Sequence, residues 1–107
     1  MSNMDNRGKA FEDKFAHDEG LRFKAEARRN KLLGLWAAEK LGHTGEAASA
    51  YAKEVIRSDF DEPGEEDVFR KIRGDFDRAG VSQSDHQIRR TMEDLMKTAR
   101  EQIMKEA

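Results

Sequence analysis

The chain contains no cysteine, a single proline and few β-branched residues. Without cysteine there is no disulfide framework and no thiolate chemistry, a composition that suits a reducing cytosol. Scarce proline and β-branched residues favour an all-helical fold. The most apolar stretch, residues 32–38, is interrupted by Gly34 and is far too short to span a bilayer, so no direct membrane insertion is expected. The first residues, MSNMDNRGKAFEDKF, carry acidic side chains early and no apolar stretch, so a secretory signal is not expected and the protein should stay in the cytoplasm. Walker-type and dinucleotide-binding glycine loops are both missing.

Charge is plentiful but balanced. Lys+Arg 20 against Asp+Glu 22 leaves a net charge of −2, which gives no general attraction to nucleic acid or anionic membrane. A hydrophobic fraction of 36% beside a charged fraction of 39% describes a chain that either has disordered parts or spends its charge on the outer faces of helices. At 107 residues the chain is long enough for one modest core.

Helical spacing and end signals place four segments. The first runs from Leu21 to Leu41, with Leu21, Ala25, Leu32, Leu35 and Trp36 on one face and Phe23, Ala27, Gly34, Ala38 and Leu41 on another. Gly34 costs such a helix about 1 kcal/mol relative to alanine, which close approach of a neighbour would offset. Gly42 suits the helix end. Thr44 is placed to cap a second helix carrying Ala48, Tyr51, Ala52, Val55 and Ile56, with Phe60 at its exit. Asp61-Glu62-Pro63-Gly64 breaks the pattern, and Glu65, Glu66 and Asp67 open a third helix where acidic charge suits the dipole. Its stripe is Val68, Phe69, Ile72, Phe76 and Ala79, closed by Gly80. Ser84 with Gln87 forms a capping box for a fourth helix, striped by Ile88, Met92, Leu95, Met96, Ala99 and Ile103. Short connections favour antiparallel neighbours, so the expected architecture is a small four-helix bundle over residues 21–107.

Residues 1–20 stand apart. Beyond the opening methionines, Phe11 and Phe15 are their only large apolar side chains, Gly8 weakens the helical tendency and Gly20 is placed to act as a hinge. Two phenylalanines at i, i+4 on a charged segment are poor core anchors and good anchors for a partner's groove. The expectation is an N-terminal arm, flexible or partly helical when free, since a helix below about 12–15 residues is marginal in water.

No catalytic constellation emerges: His17, His43 and His86 have no metal-ligand spacing, and the acidic run 59–67 lacks the glycine spacing of a calcium loop. Accordingly no enzyme activity, metal or cofactor is expected. The basic cluster Arg22, Lys24, Arg28, Arg29 and Lys31 admits two readings. It contacts phosphate, as in a nucleotide- or nucleic-acid-binding module, or an acidic partner. Otherwise it is a solvated helix face neutralised by the protein's own acidic loop.

Four blocks give a more specific lead. FEDKFAHD (11–18), LRFKAEARRNKLLGLWAAEKLG (21–42), AYAKEVIRSDFDEPGEEDVFRKIR (50–73) and SDHQIRRTM (84–92) resemble the ζ inhibitor subunit of the alphaproteobacterial F-type ATP synthase. The resemblance implies an inhibitor of ATP hydrolysis whose partners are the α, β and γ subunits of the catalytic head, and a location peripheral to the inner membrane through the synthase. It implies that the N-terminal segment is inhibitory and enters a catalytic α/β interface to block rotation. Carried onto this chain, the partner-binding residues are Asp5, Arg7, Lys9, Ala10, Phe11, Glu12, Lys14 and Phe15. The family pattern has glutamate where Gly8 stands. Weak adenine-nucleotide binding is a further expectation, binding to nucleic acid is not, and spare charge on every helix argues for a monomer when free.

Overall fold

The computed structural model describes residues 18–60 and 64–106. These form α1 (Glu19–Lys40), α2 (Gly45–Ser58), α3 (Glu66–Ala79) and α4 (Asp85–Glu106), and no strand lies among the described residues. The expected all-α four-helix bundle is therefore the observed fold. Helix α1 packs most extensively, against α2 and α4; smaller contacts of α2 with α3 and of α3 with α4 close the ring.

End chemistry explains the boundaries. Gly42 at φ 85° follows α1, its N–H bonding the Glu39 carbonyl while the His43 N–H bonds that of Ala38. Gly80 at φ 71° ends α3 in the same way, with Gly80 N–H on Asp77 and Val81 N–H on Phe76. Both are left-handed glycine closures that satisfy the last carbonyls. The Ser84–Gln87 box is fully made: Ser84 N–H donates to Gln87 Oε1 at 2.8 Å, and Gln87 N–H to Ser84 Oγ at 3.1 Å. Thr44 occupies the cap position of α2 without a side-chain hydrogen bond.

The main core joins Leu33, Ala37 and Ala38 of α1 to Tyr51, Val55, Val68, Ile72, Phe76, Ile88 and Met92, with the Trp36 ring 5.7 Å from that of Phe76. Gly34 sits where α1 and α2 cross: a Cβ there would lie 2.6 Å from the Cα of Ala52. The close approach expected at this glycine is thus present.

Helix α1 departs from its expected faces. Leu33 and Ala37 are buried, whereas Leu35 is exposed, Phe23 is 67% exposed and Ala27 faces solvent. Residues 32–38 are apolar nearly all round, so that half of α1 has no unique inward face in its sequence and its neighbours decide the facing. Gly20 also differs from expectation. It lies in the first turn of α1, capped by Asp18, not at a break in the chain.

Lengths set the shape of the site. At 22 residues each, α1 and α4 outrun the 14-residue α2 and α3 by about 12 Å at 1.5 Å per residue. The overhang is an antiparallel pair, the start of α1 on the end of α4, held by Ala25 and Ile103 with Leu21, Met96 and Met104 around them. Arg28 clamps it, donating to Gln102 Oε1 at 2.7 Å and to both Glu106 carboxylate oxygens at 2.8 and 2.9 Å.

Candidate functional site

Helix α1 begins at the tip of this overhang. Asp18 caps α1, its carboxylate accepting the Leu21 N–H at 3.1 Å, and Glu19 adds negative charge to the first turn. Carboxylates here satisfy free N–H groups at the positive end of the helix dipole. The expected partner-binding residues Asp5, Arg7, Lys9, Ala10, Phe11, Glu12, Lys14 and Phe15, like His17, lie outside the described residues.

Because α2 and α3 are short, one side of α1 is left open below the tip. A cleft of about 380 Å³ lies there between α1, the end of α2 and the start of α3, with Phe23, Ala27, Ile56, Phe60 and Met96 among its walls. Phe60 is 81% exposed, so two phenyl rings stand on this cleft with most of their surface in water. Full burial of such a side chain is worth about 1.5–3 kcal/mol.

Beneath the rings the floor is polar and fully bonded. Arg29 is only 3% exposed; its Nε donates to Asn30 Oδ1 at 2.6 Å and its Nη1 to Glu65 Oε2 at 2.9 Å. Asn30, equally buried, donates from Nδ2 to Asp59 Oδ2 at 2.9 Å. The chain Glu65–Arg29–Asn30–Asp59 thus ties the middle of α1 to both ends of the α2–α3 connection. Burial pushes the Asp59 carboxyl above its ordinary value, against the opposing pull of the Asn30 hydrogen bond and the Arg29 charge.

The basic cluster divides. Arg29 is buried and Arg28, partly exposed, is engaged by Gln102 and Glu106, whereas Arg22, Lys24 and Lys31 are exposed. Arg29 pairs with Glu65 of the acidic run, as the neutralised-face reading expects for that residue. Sequence reasoning missed Asn30 and the polar floor. The signal was present: positions 29 and 30 fall in the same rhythm as buried 25, 33, 34, 37 and 38.

A second polar cluster lies at the other end. The Tyr51 hydroxyl donates to Asp75 Oδ2 at 2.7 Å, and Lys71 Nζ approaches the same oxygen at 3.1 Å. Burial, then the bond to Asp75, pushes the Tyr51 phenol up. Burial would raise Asp75, but its bonds from Tyr51, Lys71 and Arg78 together hold it below its ordinary value. The Glu65–Arg29–Asn30–Asp59 chain carries no hydroxyl, thiol or amine nucleophile, and the Tyr51 hydroxyl, although it meets the Asp75 carboxylate, is held protonated by burial and by that carboxylate. No described helix is long and apolar enough to cross a membrane.

Fold and cleft together define a small all-helical module. The chain belongs to the ATPase inhibitor subunit zeta family, whose model matches residues 1–102. A protein solved by solution NMR is 50% identical to it, superposes with a TM-score of 0.72, and is matched over 81% of this chain and 99% of its own. No curated protein matches the chain. The family resemblance read from the sequence blocks is thereby established, and with it an inhibitory role at ATP synthase.

Proposed function

We propose that the protein stops ATP hydrolysis by the F-type ATP synthase by inserting residues 5–16 into a catalytic α/β interface beside γ, with the helical bundle as carrier. The observation that supports this best is the extent of the family match. It begins at residue 1, so the segment ahead of Asp18 belongs to the family pattern together with the bundle. As a helix, residues 5–17 would reach about 20 Å at 1.5 Å per residue, a length suited to a subunit cleft. Phe11 and Phe15 would fill apolar pockets at i, i+4 spacing. Arg7, Lys9 and Lys14 would pair with carboxylates, steering approach and fixing register. Bulk at an interface that must open and close is sufficient to block rotation, so no catalytic group is required. In this reading the protein works in the cytoplasm, bound to the catalytic head at the inner membrane, and is a monomer when free.

The absence of native cysteine makes the test direct. A cross-linker attached at Ala10→Cys should capture α and β of the catalytic head, whereas one at Glu101→Cys, on the outward face of α4, should not. Capture from Glu101 alone would contradict the insertion.

The alternative, nucleotide or nucleic-acid contact through residues 21–31, keeps three exposed cations: Arg22, Lys24 and Lys31. It loses Arg28 and Arg29 to internal pairs.

A further inference from the structure

Three large apolar side chains are exposed among the described residues, and two of them, Phe23 at 67% and Phe60 at 81%, stand on one cleft. Ala27 and Ile56 add apolar wall to it. The fold does not need the rings: the main core closes without them, and the polar floor below them is satisfied by its own bonds.

Unpaired charge around the rings is mixed. Arg22, Lys24 and Arg57 form no ion pair among the described residues, and neither do Glu19 and Glu26. Asp59 and Glu65 are engaged by Asn30 and Arg29. Net charge therefore does not select the occupant, and apolar complementarity does. Aromatic side chains within a rim of both signs are the composition of a protein–protein contact.

We propose that the cleft is a second point of contact with the synthase, with Phe23 and Phe60 closing on an apolar patch of the α or β subunit that borders the inserted segment. The proposal rests on the insertion of residues 5–16, and position argues for it. Ala16 and Asp18 are two residues apart, at most about 7 Å, and Phe23 lies five residues further on, about 7.5 Å along α1. Phe23 is thus held within about 15 Å of the end of the inserted segment, at any angle between segment and bundle. Lys40, at the other end of α1, lies about 33 Å from Asp18. Insertion therefore brings the end that carries the two rings against the synthase, and keeps the opposite end away.

The short tether sets the energetics. Once the segment is inserted, the cleft meets its patch at an effective concentration in the mM range, so a contact too weak to hold alone still slows release. The segment blocks rotation and the cleft prolongs the block.

The test uses the full chain and the isolated catalytic head. Phe23→Ala and Phe60→Ala should each raise the half-inhibiting concentration about tenfold, and leave inhibition complete at saturation. Their thermal midpoints should match that of the native protein, because both rings are mostly in water when it is free. A half-inhibiting concentration unchanged or lowered in both variants would overturn the contact. A short photoreactive cross-linker at Ala27→Cys should capture α or β. One at Glu101→Cys, exposed at the level of Arg28 but outside the cleft, should capture neither. Equal capture from both positions would mean proximity alone, and capture of a second copy from Ala27→Cys without the head would make the occupant another molecule of this chain. Either result overturns the proposal. The Ala10→Cys protein keeps the two claims apart. Capture from Ala10→Cys but not from Ala27→Cys removes the cleft contact and leaves the insertion standing. Capture from Ala27→Cys alone supports the contact and removes the insertion.

Discussion

Gly34 and Ala52 bring α1 and α2 together so closely that a Cβ at position 34 would fall 2.6 Å from the Ala52 Cα and 3.1 Å from its Cβ. Glycine in mid-helix costs about 1 kcal/mol against alanine, and this crossing, which buries Leu33 and Val55 beside it, is what that cost makes room for.

Gly34→Ala is therefore expected to destabilise the bundle. Overpacking costs about 1–3 kcal/mol, which more than cancels the gain in helix propensity. The control is Gly74→Ala in α3, where the nearest atom to a new Cβ is Arg78 Nη1 at 3.4 Å, an ordinary contact with a flexible side chain. That substitution should stabilise by about 0.5–1 kcal/mol. Urea midpoints measured for the pair should move in opposite directions.

Arg29→Ala should cost about 2–3 kcal/mol, because it removes a buried donor from Asn30 and Glu65 and leaves the Asn30–Asp59 bond unsupported. Exposed Arg22→Ala should stay within about 0.5 kcal/mol. Equal effects from the two would mean that the polar floor does not hold the α2–α3 connection.

Much of this fold was legible because its boundaries are chemical. Ser84 with Gln87, Gly42 and Gly80 each announce a helix end through a local bond or a left-handed backbone, and each does so in the structure. The facing of α1 was not legible. Leu35 and Leu33 are equally apolar, and only the positions of α2 and α4 decide that Leu33 turns inward. Arg29 resembled its basic neighbours because its partner, Glu65, is 36 residues away along the chain. Phe23 falls on an apolar face in the sequence and Phe60 at a helix exit, and nothing in the sequence marks that both rings stay exposed. The expected arm rests on the sequence alone, as a charged stretch with two isolated rings ahead of the first periodic helix, since residues 1–17 lie outside the described ones.

Acid should act on the two polar clusters with opposite signs. Asp75 is held below its ordinary value of 3.8, so its contribution to stability is present above that value and is lost as pH falls through its lowered one. Asp75→Asn should cost about 1–2 kcal/mol at neutral pH, and the gap from the native protein should close as pH approaches about 3. Asp59 is raised, so its contribution is present below the ordinary value and is lost as pH rises through the raised one. The gap between the native protein and Asp59→Asn should therefore narrow toward neutrality. Chemical denaturation of the three proteins between roughly pH 3 and 7 distinguishes the two trends.

The central claim is that the segment ahead of Asp18, through Phe11 and Phe15, performs the inhibition. Its most direct test is ATP hydrolysis by the isolated catalytic head, titrated with the native chain and with Phe11→Ala/Phe15→Ala. The native chain should abolish hydrolysis. Loss of two buried rings, at about 1.5–3 kcal/mol each, should weaken the double variant at least about a hundredfold while its bundle stays folded. Hydrolysis untouched by the native chain, or inhibition by the double variant at the same concentration, would contradict the account.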